Sequence, residues 1–120
     1  MGCMTTDSGQ MSFRRGVMSL VLLGLLKQGD MYGYQLVTEI ARRSEERLVT
    51  QEGSLYPVLY KLLDQKLISD YKVLIGKRRT RVYYHLEPAG EQRLKELLEE
   101  YEETTKGVFM IVKGEDSHGQ

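Results

Sequence analysis

Cysteine is nearly absent: the 120-residue chain has one, Cys3. That excludes an intramolecular disulfide framework and any cysteine-built zinc or iron–sulfur cage. It also fits a reducing compartment such as the cytoplasm. Histidine is almost as scarce. His85 and His118 lie far apart in sequence, so no histidine-rich metal site is expected, and no cofactor. Tryptophan is missing altogether, against eight tyrosines. Long apolar runs are missing too. The most apolar stretch, Val17–Leu26, has ten residues, far short of the roughly 20 needed to cross a bilayer. Arg14-Arg15 precede it, but the Lys27-Gln28-Gly29-Asp30 that follows reads as a helix end rather than a cleavage site. A cytoplasmic protein without a membrane partner is expected.

Net charge is also lacking, at zero, but the balance is uneven along the chain. Residues 13–87 carry 13 Lys/Arg against 8 Asp/Glu, and residues 88–120 carry 4 against 8. A basic body with an acidic end suits a polyanion partner at the body. With 41% apolar and 28% charged residues, the composition is that of an ordinary folded chain. The length suits one small domain with an appended helix.

The helical pattern begins near Ser12 and runs to Gln28, with Gly29 suited to a left-handed cap. Its centre is apolar nearly all round, so it must be covered on more than one side, by the core or by a second subunit. A second helix is expected from about Met31 to Ser44, with Gly33, Leu36, Val37 and Ile40 inward. Tyr34, Gln35, Thr38, Arg42 and Arg43 face away. Residues 45–53 are polar except for Leu48-Val49, a candidate short strand. The third helix, Ser54 to Gln65, has the clearest stripe: Leu55, Val58, Leu59, Leu62 and Leu63. Pro57 falls in its first turn, where a missing N–H is harmless. Its outward face carries Ser54, Tyr56, Tyr60, Lys61 and Asp64.

Two strand-like runs follow, Leu67–Ile75 and Arg81–Leu86, rich in β-branched and aromatic residues. Gly76-Lys77-Arg78-Arg79-Thr80 between them makes a hairpin with a basic tip. Tyr83 and Tyr84 are adjacent on a strand and point to opposite faces, so one of them is core. Pro88 starts a last helix, with Glu87 before it as a cap. Leu94, Leu97, Leu98, Tyr101 and Val108 form its stripe, and glutamates crowd its other faces.

Three helices and a hairpin make a mainly α winged helix-turn-helix plan, here with a C-terminal helix. The expected division is a flexible leader over 1–11, a winged-helix domain over 12–87, a dimerisation helix over 88–113 and a polar tail over 114–120. In that plan the third helix enters the DNA major groove and the hairpin lies along the backbone. Lys77, Arg78, Arg79 and Arg81 would supply phosphate contacts. Tyr34, Gln35, Ser54, Tyr56, Pro57, Tyr60 and Lys61 are the other candidates for DNA contact.

At the level of blocks, the chain resembles the PadR transcriptional regulators. The likeness rests on Met31-Tyr32-Gly33-Tyr34-Gln35-Leu36, on Gly53-Ser54-Leu55-Tyr56-Pro57-Val58-Leu59, and on Val82-Tyr83-Tyr84-His85-Leu86 followed by Ala89-Gly90. It covers residues 14–105, and the Leu-Tyr-Pro block is its most specific part. The resemblance implies a homodimeric repressor bound to a two-fold-symmetric operator on double-stranded DNA. The C-terminal helix would pack on the partner's first helix, through Val17, Leu20, Val21, Leu94, Leu97, Leu98, Tyr101 and Val108. A single short C-terminal helix resembles the smaller subfamily, which includes multidrug-responsive repressors. There an aromatic residue on the last helix stacks on planar aromatic effectors at the dimer centre. Tyr101, with Leu97 beside it, stands at the matching position, a phenol where such regulators carry an indole; the plainer role for Tyr101 is dimer packing. Two departures stand out. Lys66 replaces the glycine usual after the third helix, where a left-handed cap is expected. The usual glycine–arginine–arginine–lysine run of the wing is here Arg79-Thr80-Arg81-Val82.

Two other readings compete. One is a winged-helix protein-interaction module that does not bind DNA, against which the basic tip argues. The other is an enzyme, but no Ser/His/Asp arrangement, phosphate-cradling glycine loop or metal-ligand spacing is present.

Overall fold

The computed structural model describes residues 16–114. The expected leader, Cys3, Arg14-Arg15, His118 and nearly all of the expected polar tail lie outside the described residues. Helix α1 covers residues 16–28. It is followed by strand β1 (Met31–Tyr32), helices α2 (Gly33–Arg43) and α3 (Glu52–Asp64), strands β2 (Ile68–Ile75) and β3 (Arg79–Leu86), and helix α4 (Pro88–Lys113). The three strands form one antiparallel sheet in the order β1-β3-β2.

The core is built where the apolar stripes converge. Leu22, Leu23, Leu25 and Leu26 of α1, Leu36 and Ile40 of α2, and Leu55, Val58, Leu59 and Leu62 of α3 are buried together with Met31, Ile68 and Tyr84. Four buried leucines within five residues of α1 occupy more than one face of that helix, which accounts for its lack of a polar side. Each fully buried leucine contributes about 1.5–3 kcal/mol relative to an exposed one.

Several boundaries differ from the sequence expectation. Met31-Tyr32 is not the start of α2 but a strand paired with Tyr84 and Tyr83. Pairing with β3 buries Met31 in the core and sends Tyr32 to the opposite face. Gly29, at φ 157°, takes a positive φ that side-chain-bearing residues rarely adopt, so glycine is needed after α1 as expected, although the angle is far from the φ of about 60° of a left-handed cap. Leu48-Val49 makes no strand and stays exposed in the α2–α3 connection. Helix α3 begins two residues early, at Glu52, so Pro57 sits in its second turn. Its missing N–H leaves the Gly53 carbonyl without the usual helical partner, and its ring lies on the exposed side. Strand β3 starts at Arg79, which narrows the hairpin tip to Gly76-Lys77-Arg78.

The end of α3 shows what Lys66 does in place of glycine. It adopts φ 61°. The Lys66 N–H donates to the Leu63 carbonyl at 2.9 Å, and the Leu67 N–H to the Leu62 carbonyl at 3.0 Å. This is a Schellman closure with a side chain in the conformation that glycine adopts without penalty. Immediately beyond, the Leu67 carbonyl accepts from the Glu87 N–H at 3.0 Å, tying the end of α3 to the start of α4. Glu87 is the N-cap residue of α4, but its side chain does not cap: Oε2 accepts from Ser69 Oγ at 2.6 Å.

Candidate nucleic-acid interface

Helix α3 presents its inner face to the core and its outer face to solvent. Ser54, Pro57, Tyr60 and Lys61 are exposed, Tyr60 by 60%. Tyr56, the other tyrosine of this face, is half-buried and engaged within the protein. Its hydroxyl donates to Glu52 Oε2 at 3.1 Å, and its ring stacks on Tyr60 with centroids 6.0 Å apart. Burial first and the Glu52 carboxylate second raise the Tyr56 pKa above its ordinary value. A Cβ on Gly33 would lie 3.0 Å from Glu52 Oε2 and 3.1 Å from the Tyr56 hydroxyl. The Tyr-Gly-Tyr and Leu-Tyr-Pro blocks are therefore one feature in space: the glycine makes room for the tyrosine–glutamate pair that joins the starts of α2 and α3.

On α2, Tyr34 is 61% exposed beside that junction. Gln35 is half-buried and folded back along α2, where its Oε1 accepts from the Tyr32 N–H at 3.4 Å. Its carbonyl supports the start of α2, although the sequence placed it among the outward polar residues. Arg42 and Arg43 both bond Glu39, whose carboxyl they hold down to about 2. Arg43 also bonds Gln28 and so ties α2 to the end of α1.

The wing projects beyond the helices. Lys77 and Arg78 at its tip and Arg79 at the start of β3 are exposed. Among the described residues none of the three is in an ion pair, whereas Lys27, Arg42, Arg43, Arg47 and Arg93 are. Arg81 is placed differently. It is half-buried, with its guanidinium 3.9 Å from the Tyr32 ring centroid. Tyr32 meets Tyr83 edge-on at 5.4 Å, and Tyr83 stacks on Tyr71 at 5.7 Å. Tyr84, on the other face, is the core tyrosine, its pKa pushed up to about 12 chiefly by burial.

The base of the wing is latched by a residue the sequence reading passed over. Asp30, in the short link after α1, accepts from the Tyr71 hydroxyl at 2.7 Å, and its other oxygen lies 2.8 Å from His85 Nδ1. Tyr71 first, and His85 after it, lower the Asp30 carboxyl, while Asp30 raises His85. No local motif marks this cluster, because its members are 41 and 55 residues apart.

Helices α1 and α4 flank an open groove of about 470 Å³ lined by Leu20, Val21, Gly24, Leu25, Leu94 and Leu98 with the stems of three polar residues. Val17, Leu20 and Val21 are half-buried, and Leu94 and Leu97 pack on the core. From Leu98 onward the stripe of α4 has no cover among the described residues: Leu98, Tyr101 and Val108 are exposed. Phe109, Met110, Ile111 and Val112 are exposed too and widen the apolar surface around the end of α4; the sequence reading missed them, although their run of four apolar residues was in view.

A three-helix body with an antiparallel hairpin after the third helix defines a winged-helix protein. The chain belongs to the PadR-like family of transcriptional regulators, whose model matches residues 22–96. Members of this family are regulators and not enzymes. Among curated relatives, the negative transcriptional regulator PadR of Bacillus subtilis is 28% identical over 79% of this chain and 54% of its own. The transcriptional regulator YqjI of Escherichia coli is 31% identical over 78% of this chain and 43% of its own. The chain thus spans about half the length of these two, although it covers 92% of an uncharacterized Lysinibacillus sphaericus protein at 28% identity. Among solved structures, a Clostridium thermocellum transcriptional regulator aligns with TM-score 0.75 and 31% identity, over 81% of this chain and 94% of its own. B. subtilis PadR in complex with operator DNA aligns with TM-score 0.64 and 27% identity, over 68% of this chain and 46% of its own. No helix among the described residues is long and apolar enough to cross a membrane.

Proposed function

We propose that this chain is a homodimeric repressor that binds a two-fold-symmetric DNA operator and is released by a planar aromatic effector. The observation that carries DNA binding is the pairing of an exposed α3 face with a wing tip whose cations make no ion pair among the described residues. It occurs in a fold shared with B. subtilis PadR, a protein solved on its operator. Each subunit would lay α3 in a major groove, with half-sites about 34 Å apart, and place Lys77, Arg78 and Arg79 against phosphates. The uncovered stripe Leu98, Tyr101 and Val108 supports a second copy as its cover, with Leu20 and Val21 of α1 across the groove from Leu98 and half-buried Val17 earlier on the same helix. The α1–α4 groove, lined on α4 by Leu94 and Leu98, supports an effector site; the expected ligand residues Leu97 and Tyr101 are not among its lining, so an effector would reach them only through the dimer contact. A ligand there acts only if it binds one dimer shape more tightly than the other, changing the separation of the two α3 helices.

The test is capture of random genomic fragments by the purified protein at two salt concentrations, with mass determined by light scattering. A two-fold-symmetric enriched site and a dimer mass are expected. Absence of binding at both salts would leave a protein-interaction module. For the effector, a thermal-shift screen with planar aromatics and phenolic acids is expected to give stabilisation, and none across the screen would remove the ligand from the mechanism.

A further inference from the structure

The outer face of α3 is unusually poor in groups that can read a base. Gly53 has no side chain, and a Cβ built there would meet nothing within 4 Å. Pro57 offers neither donor nor acceptor. Tyr56 and Glu52 are engaged with each other at 3.1 Å. Tyr60 and Lys61, the remaining groups with donors, lie two turns or more beyond the N-terminal end. Ser54 has a short hydroxyl that suits more than one base.

Gln51 is the exception. It is the N-cap residue of α3, exposed, in extended backbone at φ −113° and ψ 156°. Its side chain makes no capping hydrogen bond. The helix start is held instead by its main-chain carbonyl, which accepts from Ser54 and Leu55 N–H at 3.0 and 3.2 Å. The amide is thus spared from the task N-cap side chains usually perform. Recognition helices place their N-terminal residues against base edges, and the low profile of Gly53 lets this end approach the groove floor.

We infer that Gln51 is the specificity-determining residue of this interface and selects an adenine in each half-site. A glutamine carbonyl accepts from adenine N6 while its amino group donates to N7. Guanine at the same place offers two acceptors, leaving the Gln51 carbonyl opposed to O6. The inference rests on the DNA-binding reading above.

The test is selection from random-sequence duplex DNA with the wild type, Gln51→Ala and Gln51→Arg, each first checked for unchanged melting. The wild type is expected to enrich a symmetric site with one adenine preferred roughly ten- to hundred-fold per half-site. Gln51→Ala should flatten that position alone and leave the rest of the site intact. Gln51→Arg should move the preference there to guanine, a change that a purely structural role would not produce. An unchanged profile in both variants overturns the inference while leaving DNA binding standing. Loss of preference at every position together in Gln51→Ala also overturns it, since that residue would then position the helix and not read a base. A wild type that binds no site specifically overturns the DNA-binding reading itself, and the inference with it.

Discussion

Gly90 is where the start of α4 meets the rest of the molecule most closely. A Cβ on it would lie 2.1 Å from the Leu67 carbonyl oxygen, 2.6 Å from Leu86 Cδ1 and 3.0 Å from the Leu67 carbonyl carbon. The Leu86 methyl can rotate away, but the Leu67 backbone is held from both sides: its N–H donates to Leu62 at 3.0 Å and its carbonyl accepts from Glu87 at 3.0 Å. Gly90→Ala therefore forces α4 back by at least about 1 Å to restore ordinary contact. That retreat stretches the Glu87–Leu67 bond, worth about 1 kcal/mol. It also loosens Leu94 and Leu97 against the core, an overpacking cost of about 1–3 kcal/mol. Alanine returns up to about 1 kcal/mol through helix propensity. The net expectation is a loss of about 1–3 kcal/mol, or a melting temperature lower by roughly 5–25 °C for a domain of this size. The assay is denaturant and thermal unfolding followed by circular dichroism at one fixed protein concentration, because association shifts apparent stability. Gly53→Ala is the control: it sits in an open helical position and should be neutral or slightly stabilising. If Gly90→Ala unfolds within about 0.5 kcal/mol of the wild type, the close approach does not constrain the fold and the account of the Ala89-Gly90 block fails.

Lys66→Gly should stabilise the chain by about 1 kcal/mol, by relieving the left-handed conformation at φ 61°; a destabilised variant in the same unfolding assay would contradict this. Replacing Arg78 and Arg79 together by alanine should weaken DNA binding and reduce the slope of log affinity against log salt by up to about 2, read by fluorescence anisotropy at several salt concentrations. Tyr101→Asp should halve the mass seen by light scattering, because it buries a charge in the uncovered α4 stripe if that stripe is the dimer contact. For the Asp30 latch, His85 is raised above 6.5, so its contribution is complete below that pH and fades as pH rises through the elevated folded value. Asp30 is lowered below 3.8, so its contribution is present above that pH and fades as pH falls through the depressed value. Stability should accordingly be greatest between the two, and Asp30→Asn should flatten the pH profile of the melting temperature at both ends.

Short-range pattern carried much of this protein. The stripe Leu55, Val58, Leu59 and Leu62 is buried as its spacing implies, since a helix repeats its faces every 3.6 residues whatever surrounds it. The basic hairpin after α3 and the start of α4 at Pro88 were legible for the same local reason. The left-handed residue after α3 came from the resemblance to the PadR-like regulators, which usually have glycine there, and not from local pattern; Lys66 fills it.

What the sequence left open depended on partners distant along the chain. Met31-Tyr32 fits a helical pattern by itself and became a strand because β3 offered it a free edge. Which of Tyr83 and Tyr84 is core followed from the register of the sheet, which alternation alone leaves two-fold ambiguous. Gln35 and Tyr56, outward by spacing, are claimed by Tyr32 and Glu52. Asp30, Tyr71 and His85 come together only when the link after α1 crosses the base of the wing. Periodicity fixes which side of an element is apolar; the side chain that a polar group finally meets is set by how the elements pack, and that was decided in three dimensions.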